Sequence, residues 1–161
     1  MKKTTTLSLT CTLFAAVLGS GQALAQQAYE HSTCRAGTMT VLAKTDDMIV
    51  WTLDHRGVTY DAGPFQGFTQ RCVGVVANIA GKINANGWCR SVDPKTGDMT
   101  VVDWVGGDKP GAGTYSFRYG TGKWKGVSGN GTYESLGPTK AVDPGTYQNC
   151  VRIKGTITVP G

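Results

Sequence analysis

The chain has 161 residues, 40% hydrophobic and 17% charged, with a formal net charge of +5. Its basic residues are scattered, with no block of five or six like charges, which argues against a nucleic-acid or lipid-headgroup partner. No apolar run is long enough for a membrane-spanning helix, and the length suits one domain with its own core.

Residues 1–25 read as a cleaved secretory signal. Lys2 and Lys3 form a positive start, "LFAAVLG" forms a short apolar stretch, and "ALA" precedes Gln26. Removing them takes away two of the 16 basic residues, so the net charge falls from +5 to +3. Cys11 leaves as well, and Cys34, Cys72, Cys89 and Cys150 remain in a single domain spanning residues 26–161. Export to the periplasm or the extracellular space makes two disulfides the expected state of these four cysteines, with three connectivities open. His31 and Cys34 lie close together in the N-terminal tail, yet no C-x-x-C or H-x-x-x-H spacing adds further ligands. Neither a metal nor a cofactor is expected.

From residue 37 onward the chain alternates runs rich in Val, Ile, Thr, Tyr and Trp with breaks rich in Gly, Asp, Asn and Pro. This pattern predicts short strands over 37–43, 48–55, 58–61, 70–79, 82–91, 99–105, 114–119, 123–127, 132–136 and 146–159. His55, in "DHRG", reads as a turn histidine without a partner. If Ala80-Gly81 is a two-residue turn, Cys72 faces Cys89 across a hairpin at a non-hydrogen-bonded pair. Cys34 then pairs with Cys150, which lies on the wet face of the last strand. Tyr147, Asn149, Val151, Ile153, Ile157 and Val159 share that strand's other, buried face. Eight to ten antiparallel strands leave two architectures open, a closed up-and-down barrel and a β-sandwich. The hairpin-like links favour the barrel.

The segment 120–133, "GTGKWKGVSGNGTY", carries a cluster of glycines. A phosphate loop needs Gly-Lys-Ser/Thr opening a helix, whereas here Lys123 precedes Trp124 and further glycines forbid a helix. The segment reads instead as a short strand with Trp124 on one side, followed by a hairpin turn at Gly129-Asn130-Gly131. "YGTGKWKGVSGNGTY" resembles the glycine signature of the allene oxide cyclase and dirigent-like barrels. "NGWCRSVDPKTGD" and "YQNCVRIKGTITVP" are similar to the middle section and closing strand of small bacterial secreted members. The resemblance implies an eight-stranded antiparallel barrel with a central cavity, and it carries over no catalytic residue.

Chemistry-bearing residues are few. There is no G-x-S-x-G elbow, and His55 has no evident triad partners. "DPKTGD" at 93–98 lacks the acids of a calcium loop. Asp103, in "VVDWV", is the one acid placed to line an apolar cavity or else to face outward from a half-wet wall. Trp51, Trp88, Trp104 and Trp124 fall on four different predicted strands, and with Tyr115 and Arg118 they form the expected ligand-binding set. These residues point to a barrel that binds a small hydrophobic or aromatic molecule. The alternatives are a cyclase or isomerase using Asp103, and an interaction protein whose barrel is packed solid and which works through loops 61–67 and 106–113.

Overall fold

The computed structural model describes residues 25–137 and 140–160, so the proposed signal over residues 1–25 lies almost wholly outside the described residues. Eight strands close into one antiparallel barrel in chain order: β1 Gln27–Lys44, β2 Met48–Thr59, β3 Thr69–Ile79, β4 Lys82–Val92, β5 Met99–Gly106, β6 Gly113–Gly120, β7 Ser128–Ser135 and β8 Thr146–Thr158. The closing pair is β1 with β8. Closure removes every sheet edge, which is the physical advantage of a barrel over the sandwich alternative.

Four of the predicted strands, 37–43, 48–55, 58–61 and 123–127, need correction. The run treated as a tail before residue 37 is the first half of β1, and 48–55 and 58–61 merge into one strand through Gly57. His55 is therefore a buried strand residue and not a turn residue, 2% exposed. Polar inward side chains hid both features, because they invert the hydrophobic alternation by which strands are recognised. The 123–127 strand does not form: Gly122–Trp124 is a 3-10 turn, bounded by the positive φ of Gly122 and Gly126. Gly129 and Gly131, expected in a hairpin turn, lie within β7 against β8. Their role is close strand approach, since a Cβ on Gly131 would stand 2.7 Å from the Gly155 Cα.

The β3–β4 hairpin has the two-residue turn at Ala80-Gly81, both with φ > 0 (48° and 79°). That turn sets the register, and Cys72 faces Cys89 with Cα atoms 4.0 Å apart, joined as a disulfide. Cys34 and Cys150 are likewise direct cross-strand partners and are bonded. The two bridges differ in side. Cys72 is fully buried inside the barrel, whereas Cys34 is exposed on its outer wall.

An aromatic plug closes one end of the barrel. The β2–β3 connection folds inward and is held by hydrogen bonds from Thr59 N to Phe68 O and from Gly67 N to Thr59 O, at 3.0 and 2.8 Å. It delivers Phe65, whose ring stacks on Trp124 at 5.2 Å and meets Phe68 edge-on at 5.4 Å. Buried aromatics of this kind supply most of the apolar area that a small barrel core can hide.

Candidate ligand cavity

Side chains alternate along every strand, so one parity of each faces inward. On β1 the inward set is Tyr29, His31, Thr33, Arg35 and Met39, and on β8 it is Tyr147, Asn149, Val151, Ile153 and Ile157. Within this ring lies a cavity of about 260 Å³. The interior is hollow and not packed solid. Phe65 and Phe68 line it on the plugged side, and Met39, Trp51, Ile83 and the β5–β6 loop line it at the opposite end.

The structure splits the expected ligand-binding set. Trp51, Trp104 and Tyr115 line the cavity. Trp124 is buried but belongs to the plug, behind Phe65 and Phe68. Trp88 faces outward and is 52% exposed, because β4 turns Cys89 and Gly87 to the inside. Asp103 faces outward as well, since Val102 and Trp104 take the inner face of β5. Arg118 is the extra residue of a bulge between Val101 and Val102 on the partner strand. It donates from Nη2 to Asp103 Oδ2 at 2.6 Å on the outer wall.

Wall glycines seat the inward aromatics. Gly74 and Gly87 are cross-strand partners, and the Trp104 indole occupies the space their missing side chains leave. Gly131 and Gly155 pair in the same way beneath the Tyr115 hydroxyl. That hydroxyl shares a short buried hydrogen bond with the Tyr29 hydroxyl and donates to Lys154 O at 3.3 Å.

A second polar cluster comes from β1, β2 and β8. Arg35 donates from Nε to Asn149 Oδ1 at 2.8 Å, and its Nη1 lies 3.3 Å from His55 Nε2. Because a guanidinium can only donate, His55 Nε2 is the acceptor and the ring is the Nδ1–H tautomer. The Tyr147 hydroxyl donates to Asn149 Oδ1 at 2.8 Å, and its ring lies 5.8 Å from the Arg35 guanidinium.

Burial governs the titration of these groups. Desolvation pushes His55 down to about 3, with the Arg35 charge adding to the effect and Asp54 opposing it. Burial pushes His31 down to about 4. Burial raises Tyr115 and Tyr133 to about 12, and Tyr29 is raised too, by burial and then by Tyr115. At neutral pH the cavity therefore holds neutral imidazoles and protonated phenols.

Sequence reasoning missed Tyr29, His31, Arg35, His55, Phe65 and Phe68. The alternation of Tyr29, His31, Thr33 and Arg35 in "AYEHSTCRA" was the available signal. It is mostly polar, so a hydrophobicity criterion passes over it.

No family model matches the chain, and no curated protein matches it. Among solved structures it is similar to the pterocarpan synthase dirigent protein GePTS1, with a TM-score of 0.53 and 10% identity. That match covers 87% of this chain and 90% of the other. It is also similar to the pterocarpan synthase dirigent protein PsPTS1, with a TM-score of 0.52 and 11% identity, covering 85% and 97% of the two chains. At such identity the likeness concerns the backbone. In fold, the chain is a dirigent-like, closed eight-stranded antiparallel barrel.

Proposed function

We propose that this is an exported, small barrel protein that binds a small hydrophobic or aromatic molecule in its central cavity without consuming it. The observation that carries the reading is the hollow, aromatic-lined interior, plugged by Phe65 and Phe68 and walled by Trp51, Trp104, Tyr115 and Phe117. An apolar cavity with a few convergent polar groups is the usual form of a small-molecule site. Its titratable groups favour binding over turnover. General acid–base catalysis works best with a pKa near the working pH, and here His31 and His55 are pushed well below it and the phenols well above it. Asp103, the acid a cyclase reading would use, stands on the outer wall.

Export is supported by the layout of residues 1–25 and by the two disulfides, which persist in oxidising compartments. The resemblance to secreted bacterial members of the allene oxide cyclase and dirigent-like group agrees with it.

Native mass spectrometry of protein purified gently from the exporting cell tests both parts. The expected result is a chain beginning at Gln26 that carries a small apolar molecule released on denaturation. A chain retaining residues 1–25 would remove the export proposal. An empty barrel that also fails to take up any of a panel of single-ring aromatic probes would remove the binding proposal.

A further inference from the structure

We infer that the cavity selects a ligand bearing one carboxylate, which the Arg35 guanidinium anchors beside Asn149. The inference rests on the ligand-binding reading above and specifies its ligand class. Its basis is an imbalance of charge. Among the described residues the cavity is lined by two cationic side chains, Arg35 and Lys109, and by no aspartate or glutamate. Burial holds His31 and His55 neutral there, so they add no further positive charge to that of Arg35 and Lys109.

Arg35 has a further surplus of donors. Of the five N–H groups of a guanidinium, one meets Asn149 Oδ1 and one meets His55 Nε2. Among the described residues no carboxylate stands within ion-pair distance of it. Asp54 is committed to Arg71, and Glu30 and Glu134 to Arg152. Arg35 is half-buried against a largely apolar cavity, where a charge without a counter-ion carries part of the cost of desolvation, and an anion that supplies the missing acceptors offsets that cost.

The surroundings set the kind of anion. Arg35 lies midway along β1, between the plug and the opposite end, with the Tyr147 ring beside it and the Asn149 amide held by two hydrogen bonds at its oxygen. A planar fork matches a carboxylate in bidentate fashion. One guanidinium among aromatic walls balances one negative charge, whereas a phosphate ester brings nearly two. The volume bounds the remainder of the ligand. An apolar cavity of about 150 Å³ accepts benzene, so about 260 Å³ accepts one ring with a short acidic chain.

Calorimetric titration of the full exported chain with 4-phenylbutanoate and with its neutral analogue 4-phenylbutanamide tests this. Charge-assisted hydrogen bonds predict that the acid binds about tenfold or more tightly than the amide. In Arg35→Met the acid should fall to the level of the amide, with amide affinity within about twofold of wild type. Lys109→Met should keep the preference, and Arg35→Lys, the substitute if Arg35→Met fails to fold, should keep only part of it. Equal binding of the two probes to the wild type overturns the carboxylate inference and leaves the cavity reading standing. An acid preference that survives Arg35→Met, or that disappears in Lys109→Met, overturns the assignment to Arg35. Binding of neither probe overturns the carboxylate inference, and the cavity reading falls with it only if the panel of single-ring aromatic probes also fails to bind.

Discussion

The indole of Trp104 packs against the bare Cα of Gly87: a Cβ there would stand 2.5 Å from the indole Cζ2. Gly74, directly across the ladder, does the same, with a Cβ at 2.7 Å from Cη2. Two strands give up side chains so that a third can lay its tryptophan along the wall of the cavity. Glycine weakens a strand interior by roughly 0.5–1 kcal/mol relative to alanine, so filling either position would raise strand propensity. Overpacking works against this and is the larger effect, at about 1–3 kcal/mol. Gly87→Ala and Gly74→Ala are each expected to destabilise the barrel by about 1–2 kcal/mol. Urea unfolding checks the loss, and a shifted Trp104 fluorescence would report the displaced ring. Unchanged midpoints would show that the indole is not seated on this pair.

The buried histidines make the barrel acid-sensitive. Their folded pKa values, about 3 for His55 and about 4 for His31, lie below the unfolded value of 6.5. The unfolded chain therefore takes up these protons first. Stability is full above about pH 6.5 and falls as pH drops through 6 and 5, by about 1.4 kcal/mol per pH unit for each histidine. Around His55 the charged groups are Arg35 and Asp54, and near His31 the group is Asp61. Unfolding free energy measured from pH 7.5 to 4.5 should show this slope, and His55→Gln should remove about one histidine's share of it. An unaltered slope in that variant would place the proton uptake elsewhere.

The β3–β4 turn is stabilisable. Ala80 holds φ = 48°, a left-handed conformation that costs a residue with a Cβ about 1–2 kcal/mol. Asparagine tolerates this region and is favoured at the first position of such a turn. Ala80→Asn is expected to stabilise the barrel by about 0.5–1 kcal/mol, read as a higher urea midpoint with an unchanged slope. The turn lies next to exposed residues, so the cavity is untouched.

The Arg118–Asp103 pair is half-exposed on the outer wall. Exposed ion pairs contribute about 0–1 kcal/mol. Asp103→Asn should therefore cost less than about 1 kcal/mol and leave the affinity for any cavity ligand unchanged. A large loss of binding in this variant would return Asp103 to the list of site residues.

Much of this could be read along the chain. The hairpin at Ala80-Gly81 and the parity of β8 needed only local turn chemistry and a period of two. From them followed both disulfides, because a cross-strand register is fixed by its turn. The glycine segment identified the barrel but was misread within it. Gly129 and Gly131 resemble turn residues when only their neighbours in sequence are considered. Gly131 in fact makes room for Tyr115, its cross-strand partner on β6, a contact set by the β6–β7 register and not by the neighbours of Gly131 in sequence.

Local sequence alone carried the all-β class, both disulfide pairings and the presence of inward-facing aromatics. These depend on alternation and turns, which act over a few residues. The count of eight strands was decided instead by the merging of 48–55 with 58–61 and the loss of 123–127. Closure decided the site. It brought Arg35 of β1 between His55 of β2 and Asn149 of β8, residues 20 and 114 positions away from it. It also turned Trp88, Asp103 and Arg118 to the outside. Which face of a strand points inward depends on its registers with both neighbours, and a polar residue lining a cavity carries no local mark of being buried.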